Sequence, residues 1–365
     1  MKNINPILRR AVRNIFHRRE NFPVKYLTDI RVETVNNAAC CDVWFLTRGC
    51  SHDKKGGCTM CNYGYGKGFI VDDDAIINSI RKEISALPED IEEITLSPSG
   101  SIFDEAEVPR ELRRRILEML GRIKCRKFFA ESRCDSLTDE NLEELKQYIT
   151  ADKIYIETGI ESCNDWILKN SINKNLSVYE IQRTICLVHK HAIGLSANMA
   201  IGFPFVNEHT GIILAAHSIK KVLRMGTDNV VFFPYHVRPG TFLELLWDNN
   251  LYKPCSLYSF CEVLRMLDED LLPLVNISWY RNYYGKDSGK ILASPSACPE
   301  CEERILSVLD IYKNKPCIES LGKLDEIKCE CFGKWRSNIM MQPIELDIQL
   351  LKRALDTYRN NFSRR

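Results

Sequence analysis

The sequence contains no long uninterrupted apolar run, and no window approaches the roughly 18–20 apolar residues that a membrane helix needs. Its first residues, MKNINPILRRAVRNIFHRRE, lack the apolar core of a secretory signal. It also lacks internal repeats and low-complexity linkers. These absences argue against a membrane protein or a secreted one. We therefore expect a cytoplasmic protein whose 365 residues build one large core with an appendage and have no membrane partner.

The chain also lacks an excess of one charge, since its formal net charge is +1. This argues against a protein that coats nucleic acid non-specifically. The charge is unevenly distributed, however, because residues 1–31 contain eight basic and two acidic side chains, a local net charge of +6. We predict a basic N-terminal helical segment over 1–35, either as a solvated helix face or as an arm that contacts phosphates.

Cysteine, in contrast, is abundant. In a chain without an export signal, disulfides are a poor explanation for 16 cysteines, and metal binding or catalysis is a better one. Half of the cysteines show no ligand spacing, and we expect buried small hydrophobic residues or inert surface thiols there. These are Cys40, Cys41, Cys125, Cys134, Cys163, Cys186, Cys255 and Cys261.

From Cys41 onward, short β-type runs alternate with longer helical patterns. Strands are predicted at 41–47, 92–99, 127–133, 152–159, 195–203 and 228–234. Helices are predicted at 73–86, 107–122, 138–148, 177–191 and 208–224, with Asp74, Thr138 and Ser177 among the capping candidates. Nearly continuous apolar strands joined by helices indicate a helix-covered parallel sheet. The sequence therefore predicts an α/β fold, a partial (β/α)6 barrel, over residues 36–285.

Three cysteines lie in the loop after the first predicted strand. Cys50, Cys58 and Cys61 lie inside a glycine-rich segment, TRGCSHDKKGGCTMCNYGYGKG, and together span twelve residues of it. Three such thiolates can hold a [4Fe–4S] cluster and leave one iron open to another molecule, and the glycines let the backbone pass close to it. The same spacing allows a zinc site with His52 as fourth ligand, or free thiols.

The position of this loop favours the cluster, because functional groups gather at the C-terminal ends of barrel strands. A three-cysteine loop after the first strand of such an array resembles the radical SAM superfamily. Seven residues rather than the commoner three separate Cys50 from Cys58, and Met60 replaces a frequent aromatic residue. The resemblance implies a partial-barrel fold, a catalytic [4Fe–4S] cluster on the three cysteines and S-adenosyl-L-methionine (SAM) as cofactor.

Four strand ends fall where this resemblance implies contacts with SAM. The first is expected to bind the methionine amino group, and the second the ribose hydroxyls and the methionine carboxylate. The third and fourth are expected to pass the adenine. In chain order, the implied residues are Ser97, Ser99 and Gly100; Glu131, Ser132 and Arg133; Gly159 and Glu161; and Gly202. Without the resemblance, Glu131 and Arg133 can also be interpreted as a structural ion pair.

A second cysteine group follows after residue 285, where the alternation of strands and helices stops. Cys298 with Cys301, and Cys329 with Cys331, form two close pairs that can present four thiolates. Such closed sites hold a structural zinc ion or an auxiliary [4Fe–4S] cluster, and chance pairing is the third possibility. We predict a small cysteine-rich, metal-binding C-terminal subdomain over 286–365 that ends in one amphipathic helix.

A narrower resemblance, to the radical SAM lyase subunits of archaeosine synthases, covers most of residues 41–340. The motifs that carry it are Arg48-Gly49-Cys50, Ser99-Gly100-Ser101-Ile102-Phe103-Asp104, Glu131-Ser132-Arg133, Ser171-Ile172-Asn173-Lys174, Arg238-Pro239-Gly240-Thr241, Leu246-Trp247, Tyr252-Lys253-Pro254, and the cysteine pairs followed by Trp335. Segments 200–204 and 254–257 depart from it. The resemblance implies that SAM is cleaved to a 5′-deoxyadenosyl radical. This radical leads to carbon–nitrogen cleavage of a lysine adduct on a 7-deazaguanine base in tRNA.

Three functional hypotheses are open at this point. The first is a radical SAM lyase that forms an archaeosine-type modification in tRNA, with a reductase or flavodoxin-type electron donor. The second is an enzyme of the same subfamily that acts on a small metabolite, a natural product or a peptide, which the near-neutral charge favours. The third is a non-enzymatic cysteine-rich interaction protein with two zinc sites. The sequence assigns no catalytic side chain.

Overall fold

A computed structural model describes residues 5–19, 26–35, 37–65, 70–88, 90–281, 291–346 and 348–362. In these residues one eight-stranded sheet has its strands in sequence order. The first pair of strands is antiparallel, and every later strand is parallel to its neighbour. The strands are β1 (Thr28–Val35), β2 (Ala38–Phe45), β3 (Ile91–Pro98), β4 (Cys125–Glu131), β5 (Ala151–Glu161), β6 (Gly194–Ile201), β7 (Asn229–Pro234) and β8 (Val275–Ile277).

Helices connect the parallel strands and extend to both ends of the described chain. They are α1 (Asn5–Phe16), α2 (Ser51–Lys54), α3 (Asp73–Ile84), α4 (Arg110–Leu120), α5 (Asp139–Tyr148), α6 (Val178–Lys190), α7 (Glu208–Arg224), α8 (Phe242–Asp248), α9 (Leu257–Arg265), α10 (Glu302–Asn314), α11 (Ile318–Gly322), α12 (Glu330–Met340) and α13 (Ile348–Phe362). Side-chain caps start several of them, as predicted for Thr138 and Ser177. The cap of α3 is Asp72, however, and Asp74 lies in its first turn.

The predicted α/β partial barrel is confirmed as a curled half-barrel, and the six predicted strands correspond to β2–β7. Two strands were missed. Strand β1, Thr28–Val35, lies inside the predicted N-terminal helical segment but forms an edge strand with several exposed side chains. Strand β8 has only three residues, too few to show a sequence pattern. The predicted boundary between core and C-terminal subdomain, at 285/286, lies outside the described residues.

The two faces of the sheet differ in character. One face packs against the helices through the main hydrophobic core, to which Val43, Leu96, Phe128 and Ile156 contribute. Side chains point alternately to opposite faces of a strand, so the residues between these core positions line the opposite, concave face. We call this concave face the inner face. Its side chains are largely polar, and it opens toward the C-terminal ends of the parallel strands.

The C-terminal segment is part of the same packing arrangement. Ile305, Leu309 and Tyr312 of α10 belong to the main core, together with the strands of the half-barrel. A second core joins α1, α8 and α13, so that the two ends of the chain lie side by side. No helix within the described ranges is long and apolar enough to cross a membrane.

Candidate cluster and cofactor site

The three-cysteine loop leaves β2 at its C-terminal end. The Cys50 side chain is buried, and those of Cys58 and Cys61 are partly buried. Gly49 and Gly56 both adopt φ of +86°, a backbone conformation that favours glycine. A Cβ atom at Gly49 would lie 2.8 Å from the Gly64 carbonyl oxygen. The glycines therefore let the loop fold closely upon itself and hold its thiols near the sheet edge.

Two distant motifs fasten this loop. The Asn173 amide donates hydrogen bonds to the carbonyls of Gly56 and Gly57 at 2.7 and 2.6 Å. The Thr59 hydroxyl donates to the Ser171 carbonyl at 3.0 Å. From the other side, the Asn62 side-chain amide of the loop donates to the Pro239 carbonyl at 3.0 Å. Segments 171–174 and 238–241, which carry part of the sequence resemblance, therefore belong to the scaffold of the loop.

A buried ion pair ties the N-terminal segment to the same loop. Arg19 contacts both carboxylate oxygens of Asp53, and each side chain is only 1% exposed. Arg19 also donates to the carbonyls of Cys61 at 3.1 Å and Gly240 at 2.6 Å, and the Gly64 N–H donates to Asp53 at 2.7 Å. Sequence reasoning missed this pair, because the two residues are 34 positions apart and no motif contains them.

Arg133 lies beside Cys50 and contacts several polar side chains. Its guanidinium lies 3.7 Å from Cys50 Sγ, contacts Glu107, and donates to Asp104 at 2.5 Å. It also pairs with Asp135, and no ion pair with Glu131 occurs in the described structure. The alternative interpretation of Glu131 and Arg133 as a structural ion pair is therefore wrong. Glu107 was missed because nothing in its local spacing marks it.

The three thiols fit a cluster better than a single ion. Burial raises the pKa of Cys50, Cys58 and Cys61 to about 12, so without iron they are neutral thiols. Their sulfur atoms do not form a group close enough to share one ion, unlike a second cysteine set elsewhere in the described residues. Thiolates of a cubane bind different iron atoms and must stand apart.

His52 is not placed as a fourth ligand of this loop. Its Nε2 atom lies 3.3 Å from the Asn173 carbonyl oxygen. Burial lowers its pKa to about 4, and the nearby Lys174 adds to that effect. The zinc alternative for the first cysteine group is therefore not supported by the arrangement.

The SAM-binding candidates divide into two sets. Ser99 and Ser132 are buried, and their hydroxyls are engaged within the protein: Ser99 Oγ accepts from Thr47 N–H at 3.0 Å, and Ser132 Oγ lies 2.8 Å from Ser101 Oγ. Ser97 and Glu131 instead lie on the inner face, where their side chains are partly accessible. The first set shapes the strand ends, and the second set is available to a ligand.

Two of the adenine-side candidates, Gly159 and Glu161, lie beside a partly buried lysine. Lys174 Nζ lies 3.0 Å from Glu161 Oε1, and the Tyr235 hydroxyl donates to the same carboxylate at 3.3 Å. Glu161 adopts φ of +68° at a bulge in β5, and a side chain at Gly159 would collide with this pair. Burial alone would lower the pKa of Lys174, but Glu161 raises it above its ordinary value. Gly202 accepts a hydrogen bond from the Tyr252 hydroxyl at 2.8 Å.

The second cysteine group converges on one point. All four sulfur atoms of Cys298, Cys301, Cys329 and Cys331 lie within 4.8 Å of one another. Cys301 and Cys329 stand at the N-caps of α10 and α12, where helix dipoles favour thiolates. The Tyr258 hydroxyl lies 3.0 Å from Cys301 Sγ and 3.3 Å from Cys331 Sγ. This set can therefore hold a metal.

The chain is similar in its fold and in its three-cysteine loop to the radical SAM enzymes. It shares its fold with Elp3 of Methanocaldococcus infernus in a form lacking the N-terminus, with a TM-score of 0.50 and 18% identity over 67% of this chain and 60% of that one. No protein-family model matches the sequence.

Within this class the chain is similar to archaeosine synthase subunit beta. The protein of that name from Methanosarcina acetivorans is 25% identical over 80% of this chain and 83% of its own length. The one from Thermococcus kodakarensis is 27% identical over 79% of this chain and 88% of its own length. An uncharacterized protein of Methanocaldococcus jannaschii is 28% identical over 81% of this chain and 80% of its own length. The predicted resemblance is confirmed.

Proposed function

We propose that this protein is a radical SAM lyase that forms an archaeosine-type 7-deazaguanine modification in tRNA. The similarity to two proteins named archaeosine synthase subunit beta, over about four fifths of the chain, carries the proposal. The three-cysteine loop supplies the chemistry that such a reaction requires. The substrate assignment is the part that experiment must test.

The residues of the cysteine loop and their neighbours have different roles in this proposal. Cys50, Cys58 and Cys61 hold the cluster, which together with SAM supplies a 5′-deoxyadenosyl radical when bound. Arg133 places a positive charge beside Cys50. This charge lowers the pKa of the Cys50 thiol and offsets part of the rise that burial and the Glu107 carboxylate cause. Asp53 and its partner Arg19 keep the loop rigid and exclude water from its underside.

A tRNA substrate requires phosphate contacts near the mouth of the half-barrel, because the target base must leave its stack to reach the radical. Helix α1 offers Arg9, Arg10 and Arg13, which are all exposed. This helix lies against the cysteine loop, since a Cβ atom at Gly56 would touch both Arg9 and Arg13. Arg19, which is buried in an ion pair, is not available for such contacts.

The C-terminal cysteine group fits one zinc ion. Its short sulfur–sulfur distances are 3.1 Å for Cys298 and Cys301, 3.2 Å for Cys301 and Cys331, and 3.6 Å for Cys298 and Cys329. Zn–S bonds of about 2.3 Å in a tetrahedron place sulfur atoms roughly 3.8 Å apart. An auxiliary cubane would spread them over different iron atoms, so the arrangement favours zinc. Cys317 faces Ser320 instead and does not join the group.

The decisive experiment uses anaerobically reconstituted protein with SAM and dithionite in place of the natural electron donor. We expect 5′-deoxyadenosine from the wild type, and conversion of tRNA carrying the lysine–deazaguanine adduct, detected by nucleoside mass spectrometry. The triple variant Cys50→Ala/Cys58→Ala/Cys61→Ala should lose both activities, whereas Cys186→Ala, at an exposed cysteine, should retain them.

Two results would contradict different parts of the proposal. Undiminished SAM cleavage in the triple variant would remove the radical SAM assignment. SAM cleavage in the wild type, without any change in the adduct-bearing tRNA, would instead indicate another substrate, such as a small metabolite or a peptide.

A further inference from the structure

Carboxylates line the inner face of the half-barrel on neighbouring strands. Glu131 of β4 and Glu157 of β5 stand side by side in the strand register. Asp42 of β2 occupies the same face, because its neighbours Cys41 and Val43 belong to the core on the other side. The inner face therefore carries three acids that lie close to one another along the direction of the strands.

Little positive charge offsets these acids. Asp42 pairs with Arg31 of β1, and Glu93, lower on the same face, pairs with Lys127 at 3.8 Å. Glu131 and Glu157 have no cationic partner within the part of the chain that the structure describes. Burial raises the pKa of Glu157 to about 7, and it raises that of Glu131 well above its ordinary range, with Glu157 adding to the effect. Such a pair destabilises the protein in the absence of a ligand.

Two further atoms on this face have no hydrogen-bond partner among the described residues. They are Asp42 Oδ1 and Asn198 Oδ1, and both are shielded from solvent. Asn198 of β6 is close enough to Glu157 to offset part of the rise in its pKa. Buried acceptors without donors are rare because each costs free energy. Together they indicate a ligand that brings hydrogen-bond donors.

A bare metal ion is a poor candidate for this ligand, because it brings no hydrogen-bond donor. In the described residues the one set of three or more ligand atoms close enough to surround an ion is the C-terminal cysteine group. An extended organic group that carries donors fits this face better.

An aromatic layer lies directly below Glu131 and Glu157, at the level of Asp42 in the strand register. Two residues before the acid pair, Phe129 and Tyr155 are register partners, and their rings stack with centroids 4.7 Å apart. Acids above stacked rings suit an aliphatic chain that ends in a positive charge, since the rings contact the methylene groups and attract the cation. The site also lies near the cysteine loop, because the Ser132 N–H donates to the Glu157 carbonyl and the adjacent Arg133 contacts Cys50.

We propose that the inner face binds an alkylammonium group of the substrate through Asp42, Glu157 and Glu131, with Phe129 and Tyr155 contacting its aliphatic chain. The proposal rests on the proposed function in one respect: it takes the inner face as the part of the protein that binds the substrate. It makes Asp42 and Glu157 specificity-determining residues, whereas Glu131 can also reach the SAM ribose.

The binding test uses the reconstituted holoprotein and two probes of equal length, n-pentylammonium and 1-pentanol, in isothermal titration calorimetry. We expect pentylammonium to bind at least about tenfold more tightly than pentanol, and Glu157→Gln or Asp42→Asn to remove about tenfold or more of that preference. The matched variant Glu118→Gln, on the solvent side of α4, should bind like the wild type. Equal binding of the two probes, no binding of either, or an unchanged preference in both variants would overturn the proposal.

A second readout separates this inference from the proposed function. The KM for a substrate that bears the ammonium group should rise about tenfold or more in Glu157→Gln. It should stay at the wild-type value in Glu118→Gln, which should also retain substrate-independent SAM cleavage. A wild type that cleaves no SAM would refute the proposed function and leave the probe-binding result standing. Normal SAM cleavage with no charge preference in probe binding would refute only this inference.

Discussion

Acidic side chains occupy two kinds of position in this protein. Arg19 and Asp53 neutralise each other, and backbone groups satisfy their remaining donors and acceptors. Glu131 and Glu157 face each other without a cation in the described structure. A satisfied buried pair holds a structure in place, whereas like charges brought together are expected where a ligand completes the site.

The buried pair leads to a prediction about the cysteine loop. Arg19→Ala leaves the Asp53 carboxylate unpaired, and breaking a buried pair in this way costs about 3–5 kcal/mol. We expect the variant to retain less than half of the wild-type iron after reconstitution and to unfold at a lower temperature. Iron analysis and thermal denaturation measure both effects.

Arg10→Ala is the matched control, since Arg10 is exposed on the adjoining helix. It should retain normal iron and normal stability. If Arg19→Ala behaved like this control, the ion pair would not be a positioning element of the loop.

At the scale of elements, α1 combines two roles that its sequence leaves open. Leu8, Ala11 and Val12 are fully buried against α13 and α8. Its arginines lie on the exposed side, next to the cysteine loop. The helix is therefore a packed cover of the loop, and its outer surface remains available to phosphates.

If the substrate is tRNA, the combined change of Arg9, Arg10 and Arg13 to glutamine should weaken binding. The log–log salt dependence should also become shallower by about 0.7–0.9 units for every phosphate that the variant no longer neutralises. Binding measured over a range of salt concentrations tests this, and SAM cleavage without substrate should persist.

Changing Arg81 and Lys82, which are exposed on α3, to glutamine controls for the loss of positive charge in general. An unchanged salt slope in the α1 variant would show that the helix only covers the loop.

At the scale of the whole molecule, the C-terminal segment completes the core and does not merely follow it. The cysteine group joins α10 and α12 to Tyr258 of α9. The Tyr258 ring packs at a tilt against Phe332 and Trp335, with centroid distances of 5.1 and 5.5 Å. A metal at this junction would hold the last helices to the half-barrel.

We expect Cys298→Ser/Cys301→Ser to lose about one zinc per chain and to unfold at a markedly lower temperature, because a structural metal contributes directly to folding. Metal analysis should show that iron on the first cysteine group is kept. The exposed Cys186→Ser serves as control. Loss of about four irons in place of zinc would establish an auxiliary cluster, and unchanged metal content would refute the site.

Local chemistry in the sequence determined most of the architecture. Alternating apolar strands, capped helices and close cysteine spacing are patterns within a few residues of each other, so β2–β7 and both cysteine groups could be predicted from them. Strand β1 was missed because its exposed, charged residues resemble those of the basic segment, and β8 because three residues carry no period.

Only the tertiary structure decided which distant side chains meet. The contacts of Arg19 with Asp53 and of Arg133 with Glu107 and Cys50, like the side-by-side placement of Glu131 and Glu157, depend on strand register and on the curvature of the sheet. No local pattern encodes these long-range properties, because they arise when separate strands pair and curl. The sequence by itself therefore determined the fold class and the cysteine spacing from which metal ligands are predicted, whereas packing decided which charges are neutralised and which are not.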